Sequence, residues 1–205
     1  GLDPQLVDWI LRWGYHGLFE ERSFSAFWNA NIYYPHPNTL AYTESLLGLH
    51  VFYGPLRLVG VDPFAAMYAT LAAVCVSGAG LTHAALSRTG YFTLLERAIV
   101  TFGAHFSLCV VSYLYHYQLV GMYLAPSFLV FAYLYLRDFH MLDLMGVCGT
   151  FAWGSAITIY MGPFLLAMSM LVVFPLVLYR FHEMGFRGVR ERVRWRASLA
   201  MATGW

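Results

Sequence analysis

The segment from Asn29 to Gly48, NANIYYPHPNTLAYTESLLG, holds the residues of this chain that are best suited to binding chemistry. It combines aromatic rings with amides, an imidazole and a carboxylate, and these groups suit the binding of a sugar or a lipid headgroup. Pro35, Pro37 and many polar side chains exclude a bilayer crossing, while aromatic rings with a polar tip prefer the boundary between hydrocarbon and water. We therefore expect the segment to lie along a membrane face. Its candidate binding residues are Tyr33, Tyr34, His36, Asn38 and Glu44.

Two further titratable residues could act together with Glu44. Asp3 could be a catalytic base, because a positioned carboxylate can deprotonate an acceptor hydroxyl, or it could simply cap the helix that Asp3-Pro4 predicts. His116 could contact a phosphate or belong to an interfacial aromatic belt. Asp3, Glu44 and His116 together could hold a divalent metal ion, since carboxylate and imidazole suit several metals. No spaced metal-binding motif accompanies them, so the sequence assigns no metal ligand and no cofactor.

The elements that position these residues are predicted to be helices in a membrane. Hydrophobic residues make up 60% of the chain, charged residues 11%, and the mean hydropathy is +0.58. Soluble proteins have about 25% charged residues. We therefore expect an integral membrane protein of the all-α class, a polytopic transmembrane helix bundle with an extracytoplasmic segment of interfacial helices.

Five apolar stretches are long enough to be spans, because a bilayer core needs about 20 residues of helix. The basic residues are all arginine, and they gather around residues 88–97, at Arg137 and after Arg180. Placing these ends in the cytoplasm satisfies the positive-inside rule, with the N-terminus outside and the C-terminus inside. The stretches are 63–87, 97–114, 118–136, 140–158 and 161–181.

This topology divides the chain into three parts. Residues 1–61 form an extracytoplasmic loop with interfacial amphipathic helices, and residues 62–182 form the five-span bundle. Residues 183–205 form a cytoplasmic basic segment in which Ala197 to Trp205 could begin a further span. The arginine run there is interpreted as an anchor for anionic membrane lipids, not as a nucleic-acid site. We expect the chain to be an internal portion of a longer polypeptide.

The first helix is predicted to be amphipathic and to end near Gly14 or Gly17. A second helix is predicted within 44–60, lying in or dipping into the outer interface. The competing interpretation makes 44–60 a sixth span, but this would move Arg88 and Arg97 to the outside. The apolar face of the first helix is predicted to be Leu6, Trp9, Ile10 and Trp13, opposite Gln5, Asp8 and Arg12.

Polar and small residues inside the spans have simpler explanations. His50, His83 and His105 could each ligate a haem or chlorin, and His105, in the middle of a predicted span, is the best placed of the three. For all three we instead expect a neutral imidazole that is hydrogen-bonded to a neighbouring helix. Gly78 and Gly80 are small residues that would let helices approach closely.

Several motifs resemble those of bacterial GT-C-type membrane glycosyltransferases. The closest resemblance is to their first extracytoplasmic loop, carried by the segments NIYYPHPNTLA, from Asn31 to Ala41, and ESLLG, from Glu44 to Gly48. Gly1-Leu2-Asp3-Pro4 resembles their short acidic motif with one residue inserted. His116-Tyr117-Gln118 resembles a His-x-Gln element between spans, and Tyr160-Met161-Gly162 resembles a Tyr-x-Gly corner.

The resemblance implies a location in the bacterial cytoplasmic (inner) membrane and the transfer of a sugar from a polyprenyl-phosphate-linked donor at the outer face. It implies that Asp3 is the base, and that Gln118 and Tyr160 join His116 and the loop residues in binding the lipid-linked donor. It does not cover the later spans and C-terminal domain that help such proteins to bind that donor. The alternative is therefore a non-catalytic membrane subunit of the same fold that packs within a larger membrane complex with other subunits.

Overall fold

The computed structural model describes residues 3–32, 35–107 and 117–203, and these residues form helices and connecting turns without a single strand. The all-α prediction is confirmed. Short 3-10 helices lie at Thr39–Tyr42, Leu47–Leu49 and Tyr117–Leu124, and wider π-helical turns at His16–Glu20 and Ser169–Val173. The α-helices are α1 Asp3–Tyr15, α2 Phe24–Trp28, α3 His50–Leu58, α4 Pro63–Thr89, α5 Leu94–Phe106, α6 Ala125–Asp138, α7 Met141–Ile157, α8 Met161–Met168 and α9 Phe174–Thr203.

Three helical stretches of the described residues are long and apolar enough to cross a membrane: Pro63–Thr89, Leu119–Asp138 and Met161–Gly185. They indicate a membrane protein, and they coincide with three of the five predicted spans. The apolar helix α7 has 17 residues, somewhat fewer than the usual span. The predicted span 97–114 runs into residues 108–114, which lie outside the described residues. The five-span arrangement therefore stays a prediction.

The sixth-span interpretation of 44–60 does not fit the structure. Helix α3 has nine residues, which at 1.5 Å per residue extend roughly 13 Å, whereas the hydrocarbon core is about 30 Å thick. It packs instead against α1 and α4. Residues 3–32 and 35–61, which we call the head, thus form a compact group of short helices.

Helix α1 buries most of the predicted face, since Ile10 is buried and Trp9 and Trp13 pack against the main hydrophobic cluster. Val7, Ile10 and Leu11 are buried in the main hydrophobic cluster, but Leu6 is 51% exposed. The helix ends at Tyr15 and continues as the π-helical turn, close to the predicted end. The buried stripe is therefore rotated toward Val7 and Leu11, because α3 and α4 cover that side of the helix.

Two capped helix starts follow from local sequence. The Asp62 carboxylate accepts the backbone N–H groups of Phe64 and Ala65 over 2.9 and 3.2 Å, with Pro63 in the first turn of α4. Thr93 and Glu96 form a reciprocal capping box that begins α5. Asp62-Pro63 has the same cap-and-proline pattern as Asp3-Pro4, which is the one pair where a helix start is predicted from it. The Asp3 side chain itself lies outside the described residues.

Arginines join the helices at one end, which we call the arginine end. Arg88 of α4 contacts the buried Asp143 of α7 over 3.1 Å. Arg137 of α6 donates to the carbonyl oxygens of Thr89 and Arg88, and Arg180 of α9 donates to that of Leu136 over 3.1 Å. The structure thus brings together three arginines that the sequence assigns to one face. Which side of a membrane that face meets stays a prediction.

Glycines mark one close approach and one break. A Cβ added at Gly78 would lie 2.3 Å from the carbonyl oxygen of Tyr123, whereas one added at Gly80 would have nothing within 4 Å. The close-packing prediction therefore holds for Gly78 and fails for Gly80. Gly185 interrupts α9 with φ of 65° and ψ of 164°, outside the helical range.

Candidate functional site

Glu44 connects the head to the corner between α7 and α8. Its Oε2 oxygen accepts a hydrogen bond from the backbone N–H of Ile159 over 3.1 Å. Its Oε1 oxygen is buried and receives no hydrogen bond from the described residues. A carboxylate oxygen without a donor is expensive to bury, and such a group needs a partner of its own. One oxygen of Glu44 is thus committed to the fold, and the other is buried without a donor among the described residues.

The backbone around Gly48 fixes Glu44 in this position. A Cβ at Gly48 would lie 2.8 Å from the backbone nitrogen of Ile157, so only glycine allows this approach to the end of α7. The indole Nε1–H of Trp153 donates to the carbonyl oxygen of Gly48 over 2.9 Å. Leu46 makes the preceding turn with φ of 52°, in the left-handed region. The predicted loop and α7 are therefore fixed to each other directly after Glu44.

Tyr160 lies at the same corner, as the sequence predicts for a residue near Glu44. It is 63% exposed, and its backbone N–H donates to the hydroxyl oxygen of the buried Thr158 over 3.4 Å. A Cβ at Gly162 would lie 3.3 Å from the Ser155 hydroxyl oxygen, which is itself buried without a partner among the described residues. The corner thus presents an exposed phenol beside two buried oxygen atoms that lack donors.

The loop that precedes Glu44 is closed on itself. The Asn38 backbone N–H donates to the Asn29 side-chain oxygen over 2.7 Å, and the Thr39 hydroxyl donates to the carbonyl oxygen of Ala30. Asn38 has φ of 55°, a conformation that asparagine tolerates better than most residues. His36 and Asn38 are both exposed. Asn38 therefore shapes the loop with its backbone and leaves its side chain at the surface.

The segment that contains Gln118 packs beside this corner. The 3-10 helix Tyr117–Leu124 contacts α1, α4, α7 and α8, and a Cβ at Gly121 would lie 2.9 Å from Met161. The head, this segment and the corner therefore share one end of the molecule, opposite the arginine end. The remaining predictions concern side chains outside the described residues, namely those of Asp3, Tyr33, Tyr34, His116 and Gln118.

The convergence of Asp3, Glu44 and His116 stays a prediction for this reason. Within the described parts of the chain, histidine, cysteine, aspartate and glutamate nowhere form a group of three that could hold a metal ion. The hypothetical divalent site required both Asp3 and His116.

The prediction of a hydrogen-bonded imidazole is wrong for His50 in the head. His50 is 5% exposed and Tyr53 is fully buried, and neither imidazole nitrogen nor the phenol oxygen has a hydrogen-bond partner among the described residues. The Asp8 Oδ1 oxygen is buried without a partner as well. Burial lowers the pKa of His50 to about 4 and raises the pKa of Tyr53 to about 12. The spacing of His50 and Tyr53 places both on one face of a helix, but it does not show which element covers that face.

His105 is hydrogen-bonded to neighbouring elements, as expected. Its ring is fully buried, with Nδ1 2.9 Å from the carbonyl oxygen of Thr101 and Nε2 3.1 Å from that of Tyr123. The Thr82 hydroxyl of α4 lies 3.4 Å from Nε2. These contacts occupy both ring nitrogens and hold α5 against α4 and the segment before α6.

Comparisons of the chain with protein-family models, with curated proteins and with solved structures found no match.

Proposed function

We propose that this chain is a membrane glycosyltransferase, or the membrane half of one, that transfers a sugar from a polyprenyl-phosphate-linked donor at the outer face of the bacterial inner membrane. The observation that carries the proposal is the position of Glu44, with one oxygen held by Ile159 and the other buried and without a partner. The motifs that resemble the glycosyltransferases supply this carboxylate and the Tyr160 corner that it contacts.

The proposal includes the full topology. In it the five predicted spans form a polytopic bundle, the head lies at the outer interface with the N-terminus outside, and the C-terminus is inside. The meeting of Arg88, Arg137 and Arg180 at one end supports a common face for the charged connections. The head packs at the other end, where an exposed lipid-linked donor would be reached.

The proposed reaction is a displacement at the anomeric carbon of the donor sugar. The acceptor hydroxyl oxygen forms the new bond to that carbon while the bond from the carbon to the phosphate oxygen breaks. The electron pair of the broken bond leaves with the polyprenyl phosphate, and the hydroxyl proton passes to the carboxylate of Asp3. Glu44 accepts hydrogen bonds from sugar hydroxyls, and the exposed ring of Tyr160 offers an apolar surface to the donor.

The test is sugar transfer from a polyprenyl-phosphate sugar, measured on the full-length protein that contains this chain. Asp3→Asn removes the base but keeps a residue that caps helices about as well, and a lost general base lowers the rate about 10²–10⁴-fold. Glu44→Gln keeps an oxygen that can accept from Ile159 but removes the charge. Glu21→Gln is the control, because Glu21 is an exposed head carboxylate paired with His16 over 2.9 Å.

We expect the Asp3 and Glu44 variants to lose transfer and the Glu21 variant to keep it. Full activity of the Asp3 and Glu44 variants would contradict the assigned roles. If the native protein transfers no sugar, the second candidate function applies: a non-catalytic subunit within a larger membrane complex. The exposed apolar residues of α5, among them Leu95, Ile99 and Phe102, favour this candidate because they offer a surface for another membrane subunit.

A further inference from the structure

A groove of about 500 Å³ lies between α4, α6 and α7, and it runs from Arg88 to Trp153, whose indole contacts Gly48 near the Glu44 corner. Its walls are apolar side chains of the three helices, and the only hydroxyl among them, that of Thr150, donates to the carbonyl oxygen of Gly146 over 2.7 Å. Apart from Arg88 at one end, the described residues that line the groove therefore offer no free hydrogen-bonding group. Its main lining residues are Leu81, Ala84, Phe131, Leu142, Met145 and Trp153.

Glycines of α7 create the space. Gly146 lies against the ring of Phe131, where an added Cβ would be 2.6 Å from the ring, so this glycine lets α7 approach α6. Gly149 is different, since an added Cβ there would have nothing within 4 Å. Helix packing therefore does not require glycine at position 149, and the missing side chain leaves part of the groove open.

One end of the groove carries a charge. Arg88, whose side chain is 31% exposed, lines the groove at the arginine end. Its Nη2 nitrogen contacts both oxygens of Asp143 over 3.1 Å, while no described residue accepts a hydrogen bond from its Nε or Nη1. Each of these two groups can donate a charge-assisted hydrogen bond to one phosphate oxygen.

The dimensions match one leaflet of a bilayer. From Leu142 to Trp153 the helix rises roughly 16 Å, about half of a hydrocarbon core of about 30 Å. An empty groove of this size would deprive its walls of dispersion contacts. A group the size of a water molecule, such as one methylene, takes up about 30 Å³. The groove volume therefore holds roughly 16 such groups, which is the size of one long acyl chain.

We propose that this groove binds one acyl chain of a glycerophospholipid, with the lipid phosphate on Arg88 and the chain running along α7 toward Trp153. The proposal depends on the chain lying in a membrane but not on sugar transfer, so its failure would leave the glycosyltransferase proposal untouched. Because lipid tails are as apolar as leucine, preference for the site comes from the phosphate contact and the shape of the groove.

The test uses the whole chain, purified in detergent and stripped of lipid. Native mass spectrometry measures its binding of phosphatidylglycerol and of diacylglycerol with the same acyl chains. Gly149→Leu fills the groove, and Gly103→Leu is the control, because Gly103 of α5 also has nothing within 4 Å of an added Cβ but does not line the groove. Arg88→Gln is combined with Asp143→Asn, so that no buried carboxylate loses its partner.

We expect Gly149→Leu to weaken phosphatidylglycerol binding about tenfold and Gly103→Leu to leave it unchanged. The Arg88→Gln, Asp143→Asn protein should bind phosphatidylglycerol no better than diacylglycerol, whereas the native protein should prefer phosphatidylglycerol. Equal binding by native protein and Gly149→Leu would overturn the proposal. An equal loss in Gly103→Leu would also overturn it, because it would indicate lipid spread over the whole surface. So would the finding that a tightly held polypeptide occupies the groove in place of lipid.

Discussion

Arg180 donates a hydrogen bond to the carbonyl oxygen of Arg137, and Arg137 in turn donates to that of Thr89 over 2.7 Å. Each arginine thus satisfies carbonyl groups at the carboxyl end of an earlier helix, where the last turn leaves them without partners. The cations also lie at the negative ends of the helix dipoles. This relay connects α9 to α6 and α6 to α4.

The relay predicts that Arg137→Lys destabilises the protein. Arg137 contacts the Thr89 and Arg88 carbonyl oxygens and the Asp138 carboxylate at once, and the single ammonium of lysine cannot reproduce that planar geometry. We expect a loss of about 1–3 kcal/mol in the free energy of unfolding, measured by denaturant titration in micelles. Arg97→Lys is the control, because the Arg97 side chain makes only a long 3.4 Å bond at the surface. Equal effects of the two substitutions would refute the relay.

Gly78 and Gly80 allow a comparison within one helix. Gly78→Ala would place a methyl group 2.3 Å from the Tyr123 carbonyl oxygen, so the segment before α6 must move, and we expect a loss of about 1–3 kcal/mol. Gly80→Ala meets no atom within 4 Å and should be neutral or stabilising by up to about 1 kcal/mol, because alanine favours helix. Thermal unfolding of the two variants decides the matter. A neutral Gly78→Ala would show that α4 and this segment are not in close contact.

His50 should make the head less stable in acid. Its pKa is lowered by burial to about 4 from an ordinary 6.5, so the unfolded chain takes up the proton first. Its contribution to stability is therefore complete above pH 6.5, falls as the pH drops from 6.5 toward 4, and levels off below 4. The total change is about 3 kcal/mol.

The measurement is thermal unfolding of the native protein and of His50→Leu between pH 4 and 7. The variant lacks the imidazole, so the difference between the two curves isolates the effect of His50 from that of the carboxylates. We expect the native protein to lose more stability than the variant across this range. Parallel curves would mean that the pKa of His50 is the same in the folded and the unfolded protein.

The topology is tested by labelling single cysteines in intact cells, in a background whose native cysteines are replaced by alanine. Position 21 lies in the exposed part of the head, and position 190 is exposed in the basic segment. We expect a membrane-impermeant maleimide to label position 21 and to leave position 190 unlabelled until the cells are opened. The reverse pattern would invert the topology.

The sequence predicts the helical class and several helix ends because those depend on local pattern. The caps at Asp62-Pro63 and Thr93-Glu96 also rest on contacts within three residues, although they were not among the predicted helix starts. The contact between Glu44 and Ile159 joins positions 115 residues apart through a backbone N–H, which leaves no mark on residue type. The predicted burial of Leu6 on α1 is wrong for the same reason, since periodicity gives a helix face but not the element that covers it.

The break at Gly185 has a mechanical consequence. A continuous helix from Phe174 to Thr203 would act as a rigid lever, and any tilt of its basic half would twist the contact between Arg180 and the end of α6. The non-helical backbone at Gly185 forms a hinge between the apolar and the basic halves of α9. Because glycine has a wide conformational range, the basic half can change direction at this residue without moving the Arg180 contact.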